Sequence, residues 1–304
     1  MKALDLFCGC GGLSLGFKRA GFEIVGAYDA WQLALDTYNA NMSHQAEFFD
    51  IGDVQGFLDE IKEKKFDLIF GGPPCQDFSS AGHRKERDRA NLTLSYAEII
   101  AGTKPMYFVM ENVARTRNSK AYQQARELFV QAGYGLTEMV LDASYCGVPQ
   151  VRKRFFCIGK LHEEDGFMEE ILQGSMAKER MSIRDYFGED LDVDNYYRHP
   201  RNYNRRGVFS VDEPSMTIRG VNRPIPDGYK GHHGDTAPID SGLRPLTTEE
   251  RARIQTFPKG FKWLGSKTGM EQMIGNAVPV NLAKFVADCI CEHDHIFSTR
   301  KKVA

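Results

Sequence analysis

The chain has 304 residues, with 39 Lys plus Arg against 41 Asp plus Glu for a net charge of −2, and 42% of its residues are hydrophobic. That balance fits a globular protein of one or two domains with a full core, and it lacks the strong basicity that flags a nucleic-acid binder. No run of 18 apolar residues reads as a membrane span, and the apolar stretch at Met1–Phe7 is too short for a secretory signal and contains Asp5, so totals alone suggest a cytosolic metabolic enzyme.

The predicted elements alternate. Lys2–Phe7 is a short apolar strand running into Cys8-Gly9-Cys10-Gly11-Gly12, and Leu13, Leu15, Phe17 and Ala20 mark a helix closed by Gly21. A second strand, Phe22–Tyr28, ends at Asp29. Helices follow around Ala34, Leu35 and Tyr38 and around Phe57, Leu58 and Ile61. Phe66–Phe70 is a buried strand stopped by Gly71-Gly72-Pro73-Pro74, and Met106–Met110 is another, ending at Glu111. A helix at Tyr122–Gln131 and strands at Gly135–Leu141 and Arg154–Ile158 complete an α/β half with a mainly parallel sheet.

Beyond about residue 160 the pattern changes. Residues 161–194 carry 11 acids against 3 bases, whereas 195–233 carry 7 Lys or Arg against 3 acids, together with Tyr196, Tyr197, Tyr203 and Tyr229. Frequent Pro and Gly there indicate a second, smaller, β- and loop-rich domain. Helical periodicity returns at Thr248–Gln255 and Asn281–Cys291, and Ser298–Ala304 reads as a frayed basic tail. The seven cysteines, an odd number in a chain this long, do not read as a disulfide framework, and the Cys-x-Cys pairs at Cys8/Cys10 and Cys289/Cys291 lack the spacing of common zinc sites, so no metal is expected.

Three segments carry chemistry. In the first strand–loop–helix unit the glycines let backbone approach a ligand, and the helix start offers free N–H groups. Asp29, 17 residues past Gly12, is suited to ribose hydroxyls, but Ser14 follows where a third fingerprint glycine would stand. This unit is compatible with NAD, FAD, S-adenosylmethionine or a mere tight turn. Trp31 is either an adenine-stacking ring or core, and Asp50-Ile51 borders the same region. The second segment, Gly72-Pro73-Pro74-Cys75-Gln76-Asp77-Phe78-Ser79, follows a buried strand and puts a thiol at its carboxyl end, where α/β sites lie. A thiolate nucleophile with stiffened approach is favoured there over a structural turn with an incidental cysteine. The third segment is the strand end Glu111-Asn112-Val113, facing the same sheet edge. Glu111 is either a solvated carboxylate or a buried acid holding a proton. Downstream, in Gln150-x-Arg152-x-Arg154, alternation sets Arg152 and Arg154 on one side of an extended segment.

Taken in order, these segments resemble the cytosine-5 DNA methyltransferases of bacterial restriction–modification systems, nearly end to end. The resemblance rests on Asp5-Leu6-Phe7-Cys8-Gly9-Cys10-Gly11-Gly12, Asp50-Ile51, Pro73-Pro74-Cys75-Gln76-x-Phe78-Ser79, Asn91-Leu92 and Glu111-Asn112-Val113. It continues through Gln150-x-Arg152-x-Arg154, Arg244-Pro245-Leu246-Thr247, Gln255-Thr256-Phe257-Pro258 and Gly275-Asn276-Ala277-Val278-Pro279. One departure stands out: the family's acid–aromatic pair is here Asp29, Ala30, then Trp31.

The resemblance implies a Rossmann-like S-adenosylmethionine-dependent sheet, with a catalytic domain over 1–180 plus 262–304 and a target-recognition domain over 181–261. It implies methyl transfer to carbon 5 of a cytosine flipped out of duplex DNA, with Cys75 as nucleophile, Glu111 donating to ring nitrogen 3, Arg154 holding the base oxygen and Arg152 supporting the site. Asp5, Phe7, Gly9, Gly11, Gly12, Leu13, Asp29, Trp31, Asp50, Ile51, Pro73, Leu92, Asn276 and Ala277 would bind the cofactor. Residues 80–90, with three Arg and one Lys, would form a loop closing over DNA. DNA contacts would come from Gln76, Ser79, Ser80, Arg84, Lys85, Arg87, Arg205, Arg206, Thr217, Arg219 and Arg223, with Arg198 and Arg201 as further candidates. The implied partner is double-stranded DNA carrying a short target, met by a monomer in the cytoplasm, with a cognate restriction endonuclease linked in function. A tRNA cytosine methyltransferase of the same fold and a non-catalytic DNA-binding regulator are the alternatives. The net charge of −2 is then a cancellation between an acidic and a basic region.

Overall fold

The computed structural model describes residues 1–74, 86–200, 202, 204–240 and 242–303, with the side chains of 86–91 and 297–303 outside the description. In chain order the elements are β1 (Lys2–Leu6), α1 (Gly12–Arg19), β2 (Glu23–Asp29), α2 (Gln32–Asn39), β3 (Glu47–Phe48), α3 (Val54–Ile61), β4 (Leu68–Gly71), α4 (Glu86–Thr103) and β5 (Tyr107–Val113). Then come α5 (Lys120–Gln131), β6 (Tyr134–Asp142), β7 (Gln150–Val151), β8 (Lys153–Leu161), α6 (Glu169–Ser175), α7 (Ile183–Phe187), β9 (Asn195–Tyr197), β10 (Val208–Ser210) and β11 (Ser215–Met216). The last are α8 (Thr248–Ile254), α9 (Lys267–Asn276) and α10 (Val280–Val303).

The chain divides into two compact units: Met1–Leu141 with Lys153–Met176 and Ala283–Ala304, and Asp142–Arg152 with Ala177–Leu282. By packing, therefore, 142–152, 177–180 and 262–282 group with the basic segment. The first unit is built on a seven-stranded sheet in the order β3-β2-β1-β4-β5-β8-β6. Strands β1 to β5 run parallel, and β8 lies antiparallel against β5. The strand order reverses at β1, between β2 and β4, so the crevice beyond the carboxyl ends of these strands is where an α/β sheet binds its ligand.

The parallel strands are apolar on both faces because helices cover both. On one face Leu4, Ile69, Phe108 and Phe155 pack with Tyr96 and Ile100 of α4 and Phe129 of α5. On the other, Phe70 stacks on Phe17 of α1, ring centres 4.1 Å apart. The segment Lys267–Ile296 is apolar and long enough to pass for a membrane span by composition. It is, however, broken at 277–279 between α9 and α10, and Leu282, Ala283, Val286, Ala287 and Ile290 are buried. Such burial is what a core helix requires.

The sequence expectation differs from the structure in several elements. A two-residue strand, β3, lies between the second and third expected strands. Strand β5 continues through Glu111 to Val113, because β8 pairs with it along its whole length. Residues 86–90, expected in a loop, open α4.

The second unit has two two-stranded sheets, β10-β9 and β11-β7. Around them sit a small core of Tyr197, Val208 and Tyr229 and the helices α7, α8 and α9. Two of these helices begin at full capping boxes, Ser182 with Asp185 and Thr247 with Glu250.

Candidate active site

At the end of β1 the chain turns through Phe7 (φ 63°), Gly9 (φ 52°) and Gly11 (φ 96°). Phe7 is held in a region that side chains rarely adopt, the kind of strain that collects at functional turns. Gly11 is needed twice: its φ is left-handed, and an added Cβ would lie 2.7 Å from Met42 Cε and 3.0 Å from the Tyr38 ring. It precedes α1, whose first turn has no acid and no side-chain cap, so amide groups are left for a ligand.

Asp29 ties this loop to the next. Its carboxylate accepts from the Gly9 amide at 2.8 Å and from the Trp31 amide at 2.8 Å. Burial raises its pKa, and the amides of Gly9, Trp31 and Ala30 oppose the shift. Ala30 is exposed, while Trp31 is half-buried at the start of α2 and makes no hydrogen bond through its ring and no ring contact among the described residues. It stands at the position where the family pattern is shifted by one residue. Ile51 is buried and Asp50 exposed, its carboxylate accepting from Gly52 N at 3.0 Å.

Beneath the glycine loop, Asp5 is fully buried. Ser14 Oγ donates to Asp5 Oδ2 at 2.6 Å, and Tyr38 Oη donates to Ser14 Oγ at 2.8 Å. Burial pushes the Asp5 carboxyl well above the usual carboxylate range, partly offset by the bond from Ser14. Asp5 Oδ1 has no hydrogen-bond partner among the described residues. Ser14 thus explains the missing third glycine: its hydroxyl is the link between the buried acid and Tyr38. The neighbouring thiols are buried. Burial raises Cys10 to about 12 and Cys8 well above its ordinary value.

A cradle that a Cβ would fill, a buried acceptor left over, a carboxylate at the end of β2 and a half-buried indole beside it suit a nucleoside-containing cation such as S-adenosylmethionine. The residues of this unit that would hold it are Asp5, Phe7, Gly9, Gly11, Gly12, Leu13, Asp29, Trp31 and Ile51.

Strand pairing assembles the second half of the site. Gly71 pairs with Met110, so Glu111 aligns with Gly72 at the exit of β4. On the other side Glu111 pairs with Phe156 and Val113 with Arg154, which makes Arg154 the diagonal neighbour of Glu111 on one face. Arg154 Nε lies 3.0 Å from Glu111 Oε1, and both side chains are largely buried, 14% and 9% exposed. Burial lowers the Arg154 pKa and Glu111 opposes the shift. A Cβ on Gly72 would come within 3.0 Å of Glu111 Oε2. Asn112, which sequence reasoning left without a role, donates from Nδ2 to the Pro73 carbonyl at 2.8 Å. It fixes the chain just before Cys75.

Cys75, Gln76, Ser79, Ser80, Arg84 and Lys85 lie outside the described residues, and so does the side chain of Arg87. Pro73 is buried and Leu92 half-buried.

Arg152 and Arg154 do not act as a pair. The extended segment breaks at Arg152, between β7 and β8. Arg152 is 1% exposed and donates to the carbonyls of Ile218 (3.1 Å), Gly275 (2.9 Å) and Ala277 (2.9 Å), all within the second unit. Gln150 joins this knot, accepting from Ile218 N at 2.8 Å and donating to Gln255 Oε1 at 2.7 Å. Gln255 in turn donates to the Ala277 carbonyl at 3.0 Å. Gly275 belongs here because a Cβ would overlap the backbone of Arg219 and Gly220, 2.5 and 2.2 Å away. Asn276 is exposed. The Gln-x-Arg and Gly-Asn-Ala motifs therefore brace the segment Thr217–Gly220, whose Thr217 donates to the Val151 carbonyl at 2.8 Å.

The expected DNA-facing arginines divide. Both oxygens of Glu213 accept from Arg206 at 2.6 Å, and its guanidinium covers the Phe209 ring at 4.2 Å. Arg205 and Arg223 are exposed, and Arg201 lies outside the described residues.

Residues 1–292 match the family profile of C-5 cytosine-specific DNA methylases. A type II methyltransferase of Haemophilus influenzae, M.HindV, is 54% identical over 292 residues, covering 95% of this chain and 96% of its own. M.HgiDI of Herpetosiphon aurantiacus, also a type II methyltransferase, is 55% identical over 288 residues, covering 94% and 93%. Among solved structures, the Schizosaccharomyces pombe Dnmt2 methyltransferase superposes with a TM-score of 0.72 at 22% identity, covering 96% of this chain and 98% of that one, a likeness of fold.

Proposed function

The chain belongs to the C-5 cytosine-specific DNA methylases, and from that premise we propose that it methylates carbon 5 of a cytosine within a specific duplex sequence, as the modifying partner of a type II restriction system. S-adenosylmethionine, when bound, supplies an electrophilic methyl group. The protein's own task is to make carbon 5 nucleophilic and to hold the base.

The Cys75 thiolate attacks carbon 6, and one hard step becomes two easier ones. Electron density moves toward ring nitrogen 3, where Glu111, protonated, donates. Arg154, held against Glu111, donates to the base oxygen and keeps the carboxyl group oriented. After the methyl group is added, a base removes the proton from carbon 5, and the bond between Cys75 and carbon 6 breaks as the ring regains aromaticity. The cytosine must leave the duplex first, at a cost of about a few kcal/mol. Arg152 belongs to this scheme as a positioning residue, through the carbonyls it holds.

The observation that most supports the scheme is the buried Glu111–Arg154 pair beside Gly72, reached by the chain three residues before Cys75. Transfer of tritium from methyl-labelled cofactor to duplex DNA, with tRNA as the parallel substrate, tests the reading. Label in DNA and not in tRNA is expected, and label only in tRNA would replace the substrate assignment. Resistance of DNA from expressing cells to the linked endonuclease tests the protective role.

A further inference from the structure

Asp5 is a buried acid whose charged form has little support. It is 0% exposed, and its Oδ1 has no hydrogen-bond partner among the described residues. The charged group that acts on it is another acid, Asp29. Both facts favour a neutral carboxyl group before a ligand arrives. From Oδ2, a single file of hydrogen bonds leads away through Ser14 Oγ (2.6 Å) and Tyr38 Oη (2.8 Å) to His44 Nε2 (2.6 Å). Ser14 and Tyr38 are 0% exposed, which keeps bulk water from the middle of the file. His44, beyond α2, is half-buried, so the file ends at the surface. It passes under the glycine cradle, where a Cβ on Gly11 would lie 3.0 Å from the Tyr38 ring.

A hydroxyl both gives and accepts a proton, so the file has two senses. With Asp5 ionised, Ser14 donates to Asp5, Tyr38 to Ser14 and the His44 Nε2–H to Tyr38. With Asp5 protonated, every bond turns round: Asp5 donates to Ser14, Ser14 to Tyr38, and Tyr38 to the bare Nε2 of His44. Burial and the nearby Lys18 hold the His44 imidazole below its ordinary pKa. It is therefore neutral at rest and gives up an added proton readily.

We propose that Ser14, Tyr38 and His44 conduct the Asp5 proton to solvent when a cationic cofactor enters the glycine cradle. The inference rests on the S-adenosylmethionine reading of that cradle. The net positive charge of S-adenosylmethionine favours a carboxylate nearby. The Asp5 O–H bond breaks as Ser14 Oγ takes the proton and passes its own to Tyr38 Oη, which passes its own to His44 Nε2. His44, now an imidazolium, loses its Nδ1 proton to water. Asp5 is left as a carboxylate, His44 is neutral again with its proton on Nε2, and one proton has entered the solvent. Asp5 is faced by Cys8, Asp29, Tyr38 and Tyr96, and His44 by Lys18. Burial raises the Cys8 thiol and both tyrosine hydroxyls, so they keep their protons. Asp29, which burial also raises, is the competing source of a proton.

The test mixes the full chain with S-adenosylmethionine, without DNA, in weakly buffered solution. A pH-indicator dye follows the proton and tryptophan fluorescence follows binding, both by stopped flow. The wild type should release up to one proton per cofactor bound, in step with binding. Its affinity should rise with pH and level off above the free-state pKa of Asp5, since the ligand favours the ionised form. S-adenosylhomocysteine, which lacks the sulfonium charge, should release less. Asp5→Asn should release none. His44→Gln keeps a hydrogen-bonding group beside Tyr38 but cannot pass a proton on, and Tyr38→Phe removes the middle of the file. In both, release should lag binding by about tenfold or more, because the proton must wait for local opening of the core. Melting temperature checks their fold, and the half-buried His44→Gln carries the test if Tyr38→Phe does not fold. A network that only braces the loop would change affinity or melting temperature and leave release in step with binding. Binding without proton release in the wild type, release that persists in Asp5→Asn, or release still in step with binding in His44→Gln overturns the path. Failure of the wild type to bind S-adenosylmethionine at all overturns the cofactor reading beneath it.

Discussion

Glu111 has little room: Arg154 lies against one carboxylate oxygen, and a Cβ on Gly72 would stand 3.0 Å from the other. Replacing Gly72 by Ala forces the carboxyl group aside by a few tenths of an ångström without touching the core. Turnover should fall by about tenfold, less than the ~10²-fold that a 1 Å misplacement can cost, while cofactor affinity and melting temperature stay close to wild type. Steady-state kinetics with varied cofactor check this, and unaltered turnover would show that Glu111 need not be held so tightly. Asp5 makes the opposite bargain, since its folded-state pKa is raised by burial. Ionising it therefore costs stability as pH rises through that pKa, and the cost is absent below the unfolded value. Asp5→Asn keeps an acceptor for Ser14 and removes the charge. It should melt higher than wild type at alkaline pH, with the gap closing in acid, yet bind S-adenosylmethionine more weakly. Equal melting temperatures at both pH values would mean that Asp5 is not strained by its burial.

At the scale of elements, the alternating pattern of the first half made β1, β2, β4 and β5 legible in the sequence, together with α1, α2, α3 and α5, because each strand is a short apolar run bounded by glycine, proline or an acid. Asp29 closes β2 and Gly72 follows β4 as the sequence suggests, whereas Glu111 lies inside β5. What periodicity could not carry is cross-strand register. Pairing of β5 with β8 extends the strand past Glu111 and sets Arg154 beside it, whereas the break at Arg152 sends that side chain to the second unit. The helix α9 was missed because glycines interrupt its apolar pattern. One of them, Gly275, is there for contact. In a helix, Ala is ordinarily about 1 kcal/mol better than Gly, but here its Cβ would overlap backbone at 2.2 Å. Gly275→Ala should destabilise the protein by about 1–3 kcal/mol in urea unfolding and weaken DNA binding. A gain in stability would contradict the packing of Gly275 against Arg219 and Gly220.

For the whole molecule, a net charge of −2 first argued against nucleic acid. The structure qualifies that total by showing which charges are spent. Arg184, Arg206, Arg244 and Arg253 meet carboxylates within the second unit, several of them from the acidic stretch 161–194, such as Asp190, Asp192 and Asp194. Acids of the stretch 161–194 are thus partly matched by arginines that lie beyond the basic segment 195–233, a pairing that no count of charges reveals.

The measurement that bears most directly on the proposed mechanism is covalent trapping. Duplex DNA is synthesised with 5-fluorocytosine in place of part of its cytosine, so that every target sequence is present, and is incubated with the protein and S-adenosylmethionine. Fluorine at carbon 5 blocks the last proton removal and stops release of the thiol. The expected result is a denaturant-stable protein–DNA complex, dependent on cofactor and absent in Cys75→Ser. No complex with the intact protein, or an equal yield from Cys75→Ser, would contradict catalysis through a cysteine adduct.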